Sequence, residues 1–128
     1  MIVDSSSLIA VLKREPDAHR HIEAMARADG LLMATPTRVE ASIVAGRIGL
    51  QGIDEFLEAS GIELTDFTAE HAAVACSAHA RYGRGSGSPA QLNFGDCMVY
   101  AVAKVLDQPL LFKGDDFTHT DIEPAIKG

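Results

Sequence analysis

Apolar and polar positions alternate in blocks along the chain. "MIV" (1–3) is a short apolar run that stops at Asp4 and predicts a strand. "SSSLIAVLKRE" (5–15) predicts a helix, with serines to cap it and Leu8, Ile9, Val11 and Leu12 as its apolar face. Pro16 suits the first turn of a second helix, through about Ala28. "GLLMA" (30–34) reads as the next strand, and Thr35-Pro36 opens a helix that runs to about Ile48 and stops at Gly49. "IDEFLEAS" (53–60) is a short amphipathic helix ended by Gly61, and "IELTDF" (62–67) alternates as a strand. Thr68 caps the alanine-rich helix "AEHAAVACSAHARY" (69–82), and "GRGSGSP" (83–89) is a loop by composition. "LNFGDCMVYAVAK" (92–104) is the next helix, "LLF" (110–112) the last strand, and the tail reads as turns with a short terminal element.

Strands alternating with helices predict an α/β domain around a mainly parallel sheet of four to five strands. In such sheets sites form outside the carboxyl ends of the strands, so chemistry is to be sought there. The length of 128 residues fits one compact domain over 1–128. With no tryptophan and few aromatics, the core should be aliphatic. No run approaches the roughly 18 apolar residues of a membrane span, and residues 1–12 lack the basic start of a secretory signal. Cys76 and Cys97 form neither a disulfide framework nor a CxxC pair, so a reducing cytoplasm is expected. A net charge of −7 argues against a broad basic nucleic-acid surface and makes any cluster of acids demand a reason.

Acids fall where the carboxyl edge should be. Asp4 ends the first strand, Glu40 lies early in the helix after the second, Asp96 opens the 92–104 helix, and Asp115 and Asp116 follow the last strand. Each has a local explanation: Asn93 as N-cap with Asp96 at the third helical position, for instance, gains about 0.3–1 kcal/mol from the helix dipole. Together they point to one place. Two carboxylates 4 Å apart repel by about 4 kcal/mol at an effective dielectric near 20, so converging acids either stay protonated or hold a cation. Hard oxygen donors favour Mg²⁺ or Mn²⁺ over zinc. The histidine spacings (19 and 21, 71 and 79) supply no ligand set, and the cysteines read as small core residues. "GRGSGS" lacks the GK[ST] ending of a phosphate loop. Carboxylates with Mg²⁺ suit phosphodiester hydrolysis or phosphoryl transfer.

Four pieces in order resemble the PIN-domain ribonucleases, and more narrowly the VapC toxins of bacterial toxin–antitoxin pairs: "IVDSSSLIAVL", "TPTRVEASIV", "LNFGDCMVYAVAK" and "QPLLFKGDDFTHTDI". The form "LLFKGDDF" looks like the mycobacterial subgroup. The resemblance implies a three-layer PIN-like fold and an endoribonuclease, dependent on Mg²⁺ or Mn²⁺ and inhibited by a VapB-type antitoxin. It makes Asp4, Glu40 and Asp96 the first three acids, with Ser6 and Thr37 as supporting hydroxyls. The fourth acid is Asp115 or Asp116, with Asp116 favoured because it keeps the Asp-Phe pair. Asp4 and Asp96, with Asp116 or Asp115, would bind the metal. Water would be the nucleophile, leaving a 5′-phosphate and a 3′-hydroxyl. The family also implies a homodimer and, with antitoxin, a hetero-oligomer.

RNA needs cations on so acidic a protein, and Arg81, Arg84 and Lys113 are the candidates nearest the expected site. Two other readings are weighed against this one. A receiver-type phosphoacceptor domain would use Lys113, but the first strand lacks the acid pair it needs. A non-catalytic PIN-like binding module sits poorly with intact Asp4, Glu40 and Asp96.

Overall fold

A computed structural model describes residues 1–127 of the chain. Four parallel strands, β1 (Ile2–Val3), β2 (Leu31–Ala34), β3 (Ile62–Thr65) and β4 (Leu110–Leu111), lie in the order β3-β2-β1-β4. The first strand is therefore central. Ile2 pairs with Leu32 on one side and with Leu110 on the other, and Val3 pairs with Leu111.

Six helices connect and cover the strands: α1 (Ser5–Leu12), α2 (Ala18–Arg27), α3 (Thr35–Arg47), α4 (Ile53–Ser60), α5 (Ala69–Tyr82) and α6 (Phe94–Val105). Side chains alternate across a strand, so the sheet builds two cores. Ile2 and Leu110 face α5 and α6, where they meet Leu92, Val99, Val102 and Phe117. Val3 and Leu111 face the other way, onto Leu8 of α1, Met25 of α2, and Ala41 and Ala45 of α3. The α/β class and the three layers expected from the sequence are thus present.

The differences from expectation are at element ends. Helix α1 stops at Leu12 rather than running to Glu15. Arg14 takes a positive φ of 56°, and the Arg14 and Glu15 N–H groups close back onto the Val11 and Ala10 carbonyls. These bonds satisfy the last turn and reverse the chain. Helix α2 starts at Ala18, with Pro16 in the turn before it and Asp17 as an N-cap whose carboxylate makes no capping bond. That carboxylate is instead engaged by Lys113 and lies near His21. The tail supplies a rudiment of a fifth strand: Leu110 N–H donates to the Glu123 carbonyl at 2.9 Å, and Ala125 N–H donates to Leu110 at 2.8 Å.

The 83–89 loop is closed at its base. Leu92 N–H donates to the Tyr82 carbonyl (2.9 Å) and Arg84 N–H to that of Leu92 (3.1 Å), so the chain returns to the end of α5 just before α6 begins. The tail is fastened on the same side. Asp121 accepts from the Tyr100 hydroxyl (2.6 Å) and the Lys104 ammonium (3.0 Å) of α6.

Candidate active site

Asp4 follows β1 directly and caps α1. Its Oδ2 accepts from the Ser6 N–H (3.2 Å) and the Ser6 hydroxyl (2.5 Å). The residue is buried, and burial pushes its carboxyl up to about 6; the nearby Glu40 charge adds to this, while the Ser6 hydrogen bonds oppose it.

Asp96 sits at the third position of α6. Asn93 Oδ1 accepts from the Asp96 N–H at 2.8 Å, and Asp96 Oδ2 accepts from the Asn93 N–H at 3.1 Å, a reciprocal capping box. The apolar run behind it, Cys97, Val99, Tyr100, Ala101, Val102 and Ala103, is buried and fixes the helix start against the sheet. Asp96 is also pushed up to about 6, first by burial and then by the charges of Asp116, Asp4 and Glu40, against the pull of the Asn93 N–H. Acids from four separated segments therefore bear on one another at the carboxyl edge of the sheet.

Glu40 is placed by two devices that sequence reasoning missed. The Ser5 hydroxyl donates to Glu40 Oε1 at 2.5 Å. Gly95, in the first turn of α6, leaves room for the other oxygen: a Cβ there would overlap Glu40 Oε2. A glycine between Phe94 and Asp96 was the available signal, because glycine inside a helix costs about 0.5–1 kcal/mol relative to alanine and asks for a reason. Gly95→Ala is expected to leave the melting temperature unchanged or slightly raised, since Glu40 is a flexible chain end that can move away. It should slow RNA cleavage several-fold as Glu40 is displaced. Thermal melts alongside initial rates check this; an unchanged rate would show that the Gly95–Glu40 approach has no part in activity.

The remaining candidates divide. Ser6 bridges Asp4 and the chain after β4, accepting from the Lys113 N–H at 2.9 Å. Thr37 is buried on α3, and among the described residues its hydroxyl makes no hydrogen bond to a carboxylate. Asp116 is exposed, and its charge is among those that raise Asp96. The Asp115 carbonyl accepts from the Thr118 N–H and hydroxyl, forming the turn that follows. Of the three expected RNA contacts, Lys113 is turned inward onto Glu15 and Asp17. Arg81 lies over the Tyr82 ring, 4.7 Å from its centre, and 4.0 Å from Asp121. Arg84 is exposed on the closed loop beside Asn93.

As the side chains stand, no three His, Cys, Asp or Glu among the described residues are gathered closely enough to ligate one ion. The donor set still fits a hard divalent cation. It is all carboxylate, and two of its members are held up near 6 by burial and mutual charge, a penalty that a cation relieves. A cavity of about 570 Å³ opens beside it between α1 and α3, with Ser5, Ser6, Ile9, Glu40, Ile43 and Val44 in its wall. A larger hollow, about 1080 Å³, lies at the opposite end of the strands around Met1, Gly30 and Pro109, away from every acid of the cluster.

The sequence profile described as PIN domain matches residues 1–123. VapC ribonuclease Mb2780c of Mycobacterium bovis is 44% identical over 129 residues, which cover 98% of each chain. The chain belongs to the VapC ribonucleases of the PIN-domain family. Ribonuclease VapC28 of Mycobacterium tuberculosis, another member, is 40% identical to it over 98% of both chains. Among solved structures, VapC20 of Mycobacterium tuberculosis, described as a sarcin-ricin loop cleaving toxin, superposes with a TM-score of 0.71 at 15% identity, covering 96% of this chain and 98% of that one. A chain of a toxin–antitoxin complex from Klebsiella pneumoniae gives the same TM-score at 16% identity, covering 94% and 92%. These two structures share the overall fold seen here, a parallel sheet between helical layers.

Proposed function

We propose that this VapC ribonuclease is the toxin of a type II toxin–antitoxin pair and acts as a divalent-metal-dependent endoribonuclease. The observation that carries this reading is the mutual charge of Asp4, Glu40, Asp96 and Asp116 at one sheet edge. Asp4 and Asp96, with Asp116, would hold Mg²⁺, or Mn²⁺ in its place. The bound ion would supply activation of water and neutralisation of the phosphate charge. Asp116 is preferred to Asp115 because its charge bears on Asp96.

The chain's own groups do the rest. Ser6 holds Asp4 by two hydrogen bonds from one residue, so that carboxylate is oriented before substrate arrives. Asn93 holds Asp96 in the same manner through its N–H. Glu40, with one oxygen occupied by Ser5, keeps the other free to accept a proton from the attacking water. Arg84, on the closed loop beside Asn93, is the cation best placed for a neighbouring phosphate. Water rather than the RNA 2′-hydroxyl is the nucleophile. Cleavage should stop in EDTA, return with Mg²⁺ or Mn²⁺, and leave 5′-phosphate and 3′-hydroxyl ends. Mass spectrometry of the products tests this, and 2′,3′-cyclic phosphate ends would overturn it.

The cavity between α1 and α3, apolar along Ile9, Ile43 and Val44 and lined by both acids (Glu15, Glu40) and bases (Arg47, Lys113), is the proposed seat of an antitoxin segment. A second copy of the chain is proposed as a further partner, supported by the exposure of Val39 and Phe94 on α3 and α6. Both RNA and antitoxin place the protein in the cytoplasm on this reading, and no described helix is long and apolar enough to cross a membrane.

A further inference from the structure

We propose that Lys113 is a positioning residue that locks the chain after β4 against α1, and so sets where Asp4 and Asp116 stand for a bound divalent cation. This rests on the metal-dependent reading above. Two branches leave Lys113. Its backbone N–H donates to Ser6 Oγ (2.9 Å), and that hydroxyl donates to Asp4 Oδ2 (2.5 Å). Its ammonium crosses to the turn between α1 and α2, where it donates to Glu15 Oε2 and to Asp17 Oδ1 (3.0 Å). Asp17 Oδ2 lies 3.5 Å from His21 Nε2, and His21 Nδ1 is 2.8 Å from Ser7 Oγ. Ser7 and His21 are buried, and Ser7 follows Ser6 on α1. The two branches therefore close into a ring that starts and ends on adjacent residues of one helix turn.

The ring includes the residue from which the turn carrying Asp116 departs. Immediately after Lys113 the chain reverses at Gly114, whose φ is 100°, and three residues later Phe117 is buried against Phe112 with ring centres 5.1 Å apart. Asp115 and Asp116 are thus carried on a short arch with both feet fixed. The arch owes its Phe117 foot to apolar packing and its Lys113 foot to the ring. An ammonium with three donors between two carboxylates suits that task, and its direction, onto Glu15 and Asp17, leaves it unavailable as an RNA contact.

Three proteins, wild type, Lys113→Ala and Lys113→Arg, are to be compared by Mn²⁺ binding, using the electron paramagnetic resonance of the free ion in the absence of RNA, and by cleavage rates over RNA concentration. Lys113→Ala should bind Mn²⁺ at least fivefold more weakly and lower kcat in step, with KM for RNA within twofold of wild type. Lys113→Arg should recover most of both losses. The pair Glu15→Gln and Asp17→Asn together should reproduce the alanine result with Lys113 intact, which keeps the inference testable should Lys113→Ala fold poorly. Unchanged Mn²⁺ binding with a raised KM and a shallower salt dependence would overturn the inference in favour of an RNA contact. Unchanged Mn²⁺ binding with only a lower melting temperature would overturn it in favour of a purely structural tie. A wild type that neither binds Mn²⁺ nor cleaves RNA would defeat the metal-dependent reading itself.

Discussion

Asp4→Asn is expected to slow RNA cleavage by at least about a hundredfold, equivalent to about 2.7 kcal/mol of transition-state stabilisation. The substitution keeps the shape and the Ser6 contacts but removes the charge from the most buried acid of the cluster, at the end of the central strand. Asp96→Asn should behave alike, because its carboxylate faces three other acids and loses the same attraction for a cation. The fourth acid gives the finer contrast. Asp116→Asn should cost roughly tenfold and Asp115→Asn no more than about twofold, since it is Asp116 whose charge bears on Asp96. Initial rates at saturating metal for the four purified variants decide the matter, and equal losses at 115 and 116 would remove the distinction drawn between them.

The same Asp4→Asn change should make the metal-free protein more stable. An acid whose carboxyl is raised from an ordinary value near 3.8 to about 6 takes up a proton more readily folded than unfolded. Its ionisation therefore opposes folding: the penalty is fully present above about pH 6 and disappears as pH falls through the window from about 6 to about 4. At pH 7.5 the penalty is on the order of 2–3 kcal/mol, which asparagine does not incur, and the melting temperature should rise by roughly 5–10 °C. Below pH 4 the two proteins should melt together. His21, buried and held below its ordinary value first by desolvation, works the other way, its contribution being lost as pH falls below about 6.5. It does so equally in both proteins, so their difference isolates Asp4. Mg²⁺ at a hundredfold excess over Kd should close the gap, because only the wild type gains the full binding energy, about 2.7 kcal/mol. Calorimetry with EDTA and with Mg²⁺ at pH 7.5 and pH 4 tests each part; coincident melts in EDTA at pH 7.5 would mean that Asp4 carries no burial penalty.

That trade between stability and activity explains which parts of the site were legible in the sequence. Asp4, Glu40 and Asp96 stand out because strand ends and helix starts can be read from hydrophobic periodicity, and a parallel sheet sends both to one edge. The partners of Lys113 were hidden for the opposite reason. A sequence displays its charge but hides Glu15 and Asp17, which become its partners only after the chain reverses at Arg14 and α2 begins late. Ser5 gave no signal either, since three consecutive serines look like interchangeable caps, yet Ser5 holds Glu40, Ser6 holds Asp4 and Ser7 holds His21. One helical turn points each of them in a different direction, and only the neighbours packed around α1 assign their tasks.

The placement of β1 between β2 and β4 also governs when the sheet can be completed. During synthesis β1 emerges before the other three strands, yet its second edge stays bare until Leu110 and Leu111 have left the ribosome. Asp116 follows only five residues behind Leu111. A chain not yet grown past Asp116 therefore lacks both the strand that completes the sheet and one of the acids whose charge bears on Asp96. Pairing the first of the four strands with the last makes the sheet a structure of long-range contacts, which cannot close until all four strands have been made.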